Sequence, residues 1–102
     1  MNSVNYRGDT FWRTYKVKYN NMPYAFESGD KIIVAFIKNG IKYLKKEITL
    51  DDSAESITVE WDADDMKTLK YDNEYILEAE ITTKDFVKTY QETIKITKDY
   101  IV

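Results

Sequence analysis

At 102 residues the chain has room for one domain with one modest core, and residues 1–102 are expected to form it. Apolar residues make up 43% and charged residues 32%, with a net charge of −3 and no basic block, a balance that argues against a nucleic-acid partner. There is no cysteine and no histidine, which excludes disulfides, thiolate nucleophiles, cysteine zinc sites and any triad built on an imidazole.

The start, Met1-Asn2-Ser3-Val4-Asn5-Tyr6, lacks the basic flank and apolar run of a signal peptide, so none is expected. Arg7-Gly8-Asp9 spells an adhesion tripeptide, but at this position it reads as a turn into the first strand. Phe11 to Tyr19 alternates with period two: Phe11, Tyr15, Val17 and Tyr19 fall on one face and Trp12, Lys16 and Lys18 on the other. Asn20-Asn21-Met22-Pro23 breaks that strand, and Ser28-Gly29-Asp30 is a second turn.

Lys31 to Lys38 is the most apolar strand. Its run from Ile32 to Ile37 is far too short to span a bilayer, and no membrane partner is expected. Asn39-Gly40 predicts a type I′ turn, because both residues accept positive φ, and Ile41 to Thr49 is then the return strand, with Tyr43 and Leu44 on opposite faces. Leu50 to Ser56 is a polar connection. Ile57, Val59 and Trp61 alternate with Thr58 and Glu60 in a further strand. Asp62 stands as an N-cap before Asp65, Met66 and Leu69, which predicts a short helix around 63–70.

Tyr71-Asp72-Asn73-Glu74 reads as a turn. Tyr75, Leu77, Ala79 and Ile81 then share the inward face of a strand whose outward positions include Glu78 and Glu80. Thr83-Lys84-Asp85 turns the chain, Phe86 to Thr97 returns with Ile94 and Ile96 inward, and Tyr100 to Val102 offers a last short pairing. Six or seven strands joined by short turns predict an all-β antiparallel sandwich, with the first and last strands at sheet edges.

Gly8-Asp9-Thr10 stands before the first strand, and Gly29-Asp30 before the apolar run from Ile32 to Phe36. Leu69 precedes Tyr75 and Glu78, and Thr93-Ile94-Lys95-Ile96-Thr97 closes the chain. With these features the sequence resembles the immunoglobulin-like domains of bacteriophage tail and baseplate proteins, such as the N-terminal domain of upper baseplate proteins. It departs from that pattern at Asn73-Glu74, where a glycine is usual, and in a final strand without the customary glycine. The resemblance implies an immunoglobulin-like sandwich with no catalytic residues and no cofactor. It implies a structural role in a phage or prophage virion, made in the bacterial cytoplasm, with other tail or baseplate proteins or a second copy of the chain as partner.

Residues that carry chemistry are few. The acidic stretch from Asp51 to Asp65 has no glycine to shape a calcium loop, so Asp62, Asp64 and Asp65 are expected to cap and charge a helix start. A carboxylate pair for glycoside hydrolysis needs a cleft that so small a sandwich has little room to form, and no enzyme activity is expected. Binding surfaces are the better prospect. Both faces of the strand after Lys31 are apolar: Ile32, Val34 and Phe36 on one, Ile33, Ala35 and Ile37 on the other. The second face must be covered by the helix around Met66 and Leu69 or by another subunit. Trp12 points away from the core, where it either anchors a protein or sugar contact or is covered by the N-terminal segment. Trp12, Ile33, Ala35 and Ile37 are thus the candidate interface residues. A carbohydrate-binding or adhesin-type domain, stacking sugars on Trp12 and nearby tyrosines, is the alternative reading.

Overall fold

The computed structural model describes residues 2–6, 10–70 and 73–97, the first stretch by its backbone. The strands are β1 (Asn2–Tyr6), β2 (Phe11–Tyr15), β3 (Lys18–Tyr19), β4 (Met22–Pro23), β5 (Lys31–Lys38), β6 (Ile41–Thr49) and β7 (Ile57–Trp61), followed after the single turn of α1 (Ala63–Met66) by β8 (Asn73–Thr82) and β9 (Val87–Thr97). They form a five-stranded sheet in the order β1-β9-β8-β5-β6, a two-stranded sheet β2-β7 and a short β3-β4 ribbon. The fold is an all-β sandwich, its core lying between the five-stranded sheet and the β2-β7 pair.

Alternation explains most of this. β7 and β8 bury every second residue: Ile57, Val59 and Trp61 in one, Tyr75, Leu77, Ala79 and Ile81 in the other. The β7 residues face those of β8 and of its sheet neighbours, Ile32, Val34 and Phe36 of β5 and Ile94 and Ile96 of β9, the last five without exposed surface. Phe36 is the hub of an aromatic group, with ring centroids 5.5 Å from Phe11, 5.2 Å from Trp61 and 6.2 Å from Tyr75. Such edge-to-face pairs add about 0.5–1.5 kcal/mol each beyond simple burial.

Local chemistry closes the elements as expected in several places. Asn39 (φ 52°) and Gly40 (φ 77°) both take positive φ between Lys38 and Ile41, as a type I′ turn requires. The Asp62 carboxylate accepts the Asp65 backbone N–H at 2.8 Å and caps α1, whose Met66 is buried together with Leu69 just beyond it. At the β8–β9 turn the Thr83 hydroxyl accepts the N–H groups of Asp85 and Phe86 at 3.1 and 3.2 Å. Asp30, the one buried charged residue among those described, accepts the Glu27 N–H at 2.8 Å and so ties the turn at Gly29.

Several features depart from the sequence reading. The strand expected over Phe11–Tyr19 divides, because Asn20 and Asn21, both at positive φ, fold Tyr19 back on Met22 and detach β3 into its own ribbon. The helix is one turn long and ends at Met66. The strand β1 was not anticipated. It lies parallel to β9, so the sheets are antiparallel except for this pair, and β9 is not an edge strand. A strand need not double back on its sequence neighbour when that neighbour, here β2, belongs to the opposite sheet. Finally, β6 carries a bulge opposite Ala35: Val34 pairs with Lys46 but Phe36 with Tyr43. Leu44 there adopts φ 53°, uncommon for a residue with a branched side chain, and its carbonyl accepts the Trp61 indole N–H at 2.7 Å. The extra residue turns both Leu44, packed on the core, and Tyr43, whose ring meets that of Tyr75 at 5.8 Å, toward the same side. Of the turn expected over Tyr71-Asp72-Asn73-Glu74, Asn73 and Glu74 instead open β8, paired with Ile96 and Lys95, while Tyr71-Asp72, the adhesion tripeptide and the pairing at Tyr100–Val102 lie outside the described residues. No helix among the described residues is long and apolar enough to cross a membrane.

Candidate functional site

The outer face of the five-stranded sheet carries Ile33, Ala35 and Ile37 along β5. Pairing places Ile33 between Glu47 and Glu80, Ala35 beside Glu78, and Ile37 between Lys42 and Ile76. The helix does not cover this face, since Met66 and Leu69 are buried on the inner side of the sheet. The face is instead partly screened by its charged neighbours Lys42, Lys45, Glu78 and Glu80. Ala35 is only 3% exposed, whereas Ile33 and Ile37 are half-buried. Ala35 floors a recess of about 90 Å³ walled by Ile33, Lys42, Lys45, Glu78 and Glu80. Ile76, 41% exposed, extends the apolar strip onto β8. The sequence reading passed over Ile76 because it occupies the outward position of a strand otherwise fitted to water there, and that mismatch was the available signal.

The β6 flank of this strip carries both signs of charge and the β8 flank carries acidic residues. Lys42 and Lys45 of β6 line one flank, and Glu78 and Glu80 of β8 line the other. Glu47 is balanced by Lys31 at 3.7 Å, and Glu78 accepts a hydrogen bond from Gln91 Nε2 at 2.8 Å.

Trp12 lies elsewhere. It sits on the outer face of β2, paired with Glu60 of β7, on the opposite surface of the sandwich from Ile33. The four candidate interface residues therefore divide between two faces. At 58% exposure Trp12 is open, and the N-terminal strand that was one candidate to cover it pairs with β9 instead. Among the described residues no aromatic ring meets it. Tyr19, Tyr24 and Phe86 form a separate cluster, with centroids of 5.4 Å for Tyr19–Phe86 and 4.8 Å for Tyr24–Phe86. Trp12 does not make one stacking platform with Tyr19 and Tyr24.

A third locus closes the open side between the sheets. Arg13 of β2 donates from Nε to Glu92 Oε1 of β9 at 2.6 Å, and its guanidinium carbon lies 4.4 Å from the Phe11 ring centroid. Glu92 takes an inner-face position opposite Leu77, where the narrow β2-β7 sheet leaves β9 uncovered. Beside the pair, Thr14, Tyr15, Lys16, Leu77 and Tyr90 line a recess of about 190 Å³. Burial, and then the Glu92 carboxylate, push the Tyr15 hydroxyl up to about 12 against a smaller opposing pull from Arg13, so it stays uncharged at neutral pH. Among the described residues no group of three or more acidic side chains converges as a metal site would require. No family model matches the chain, and no curated protein matches it significantly.

Proposed function

We propose that the chain is a non-catalytic assembly module of the immunoglobulin-like kind, at work in a phage or prophage tail or baseplate and acting through protein–protein contact. The strand order supports the immunoglobulin-like part of the reading, and the tail or baseplate role rests on the sequence resemblance. In an immunoglobulin sandwich strands C, F and G share one sheet and B and E the other. Here β5, β8 and β9 take the places of C, F and G, and β2 and β7 those of B and E. A second detail fits. The Tyr75 hydroxyl, near the start of β8, accepts the Lys70 backbone N–H at 3.1 Å, the tie known in such sandwiches as a tyrosine corner.

Such a scaffold presents flat sheet faces, and flat faces suit protein partners, whose affinity comes from buried apolar anchors inside a polar rim. Tyr19, Tyr24 and Phe86 cluster apart from Trp12, which weakens the alternative of a sugar-stacking domain. The test is co-expression with the products of neighbouring genes, followed by size-exclusion chromatography. Stable co-elution with a tail or baseplate protein is the expected result. Failure to bind any of them, together with a Trp12-dependent fluorescence shift on adding oligosaccharides, would replace this reading with the carbohydrate-binding one.

A further inference from the structure

We infer that the unpaired edge of β2 receives an extended segment of a partner protein, which adds as a third strand and seats one large apolar side chain between the sheets. The inference deepens the assembly reading and rests on it for the existence of a protein partner.

The two-stranded sheet lies off-centre over the larger one. Its β7 reaches toward β6, where the Trp61 indole meets the Leu44 carbonyl, and its β2 reaches toward β9, where Arg13 meets Glu92. Among the described residues no strand stands at the other edge of β2. An immunoglobulin sheet carries its strand A there. In this chain β1 joins β9 instead, and it pairs with β9 only from Thr93 to Thr97. Lys88, Tyr90 and Glu92 alternate with the buried Ile94 and Ile96, so they face inward, but β2 stops short of covering them. At about 3.3 Å per residue the uncovered stretch is about 13 Å long, which accommodates a short strand.

Three features of this seam fit a polypeptide strand better than a small molecule. Alternate residues of β2 turn their N–H and C=O groups away from β7, and another extended backbone repeats donors and acceptors at the same spacing. The recess of about 190 Å³ beside that edge is smaller than the roughly 300–1,000 Å³ of small-molecule sites, but it takes a single side chain among Tyr15, Leu77 and Tyr90. The Tyr15 hydroxyl at its border makes no hydrogen bond to the described residues, which leaves it free to donate to a strand carbonyl.

Charge specifies the rest of the segment. Among the described residues the recess has one carboxylate, Glu92, and Arg13 holds it. Lys16 on the rim and Lys88, the inward residue next to Tyr90 on β9, form no ion pair with the described residues; Lys88 reaches the Lys18 carbonyl at 2.6 Å. Residues two apart on a strand share a face. The segment that fits therefore carries a bulky apolar residue in the recess and an acidic residue two positions away, toward Lys88.

The probe is a synthetic peptide, Asp-Thr-Phe-Thr-Asp flanked by threonines, which reads alike in either strand direction. It is titrated into the isotope-labelled intact chain and followed by NMR. Binding with a dissociation constant below about 1 mM is expected, with amide shifts centred on Thr14, Tyr15, Lys16 and Tyr90. Methylating alternate backbone nitrogens of the peptide should abolish it, an effect that side-chain capture alone does not produce. Replacing both aspartates of the peptide by lysine should weaken binding at least about tenfold, and Lys88→Glu, checked for folding by its thermal melt, should reverse that preference. No binding at millimolar peptide, shifts centred on the outer face of β5, or equal binding of the methylated peptide overturns strand addition. A charge preference that Lys88→Glu leaves unchanged overturns the acidic residue. Peptide binding without co-elution of a tail or baseplate protein removes that role and leaves the strand site; co-elution without peptide binding does the reverse.

Discussion

Tyr15 illustrates how position sets the behaviour of a single side chain. Its folded pKa, pushed up to about 12, exceeds the ordinary value of 10.0, chiefly through burial and secondarily through Glu92. The folded protein therefore holds this proton more tightly than the unfolded chain. The resulting stabilisation is whole below about pH 10 and is lost as the pH rises through 12. Urea midpoints of the parent should fall between pH 10 and 12 more steeply than those of Tyr15→Phe, which has no proton to lose. Parallel curves would show that Tyr15 is not linked to folding. At this scale the sequence was informative where burial follows from parity, as for Phe11 and Val17. It was silent on Glu92, whose inward position opposite Leu77 follows from the width of the other sheet and not from its own neighbours.

Turns and strands were legible where the determinants are local. Asn39-Gly40 fixes the β5–β6 hairpin because both residues sit at positive φ. A Cβ built on Gly40 meets nothing within 4 Å, so Gly40→Ala has only the backbone penalty to bear, about 1 kcal/mol. Chemical denaturation should register that loss as a lower midpoint at unchanged slope; an unchanged midpoint would mean the turn tolerates a side chain. β7 and β8 were readable from alternation alone. β1 was not, since Asn2–Tyr6 has no alternating pattern and its partner, β9, lies some ninety residues away. The β6 bulge was also hidden, because its cause is a carbonyl demanded by the indole of Trp61 in the other sheet.

For the molecule as a whole, the two faces of β5 have opposite duties. Val34 is fully buried between the sheets, so Val34→Asp places an unpaired charge in the core and should unfold the protein at a cost of about 3–5 kcal/mol. Ile33 is half-buried on the outer face, so Ile33→Asp should leave the circular dichroism spectrum and cooperative melt intact, and it abolishes self-association if that face is the contact surface. If both variants unfold alike, the outer face is serving as core and not as contact surface. Parity correctly paired Ile33, Ala35 and Ile37 and turned Trp12 outward, but it did not place these two strands in different sheets. It tells which residues share a strand's face, but not which sheet that strand joins.

β6 forms the rim of the larger sheet, the place where a foreign strand would ordinarily attach. With Leu44 twisted into a left-handed conformation and its oxygen surrendered to Trp61, that rim is interrupted midway. Lysines at 42, 45 and 46 add repulsion along it. Copies crowded at high density thus find no straight, uncharged border along β6 on which to zip into ribbons.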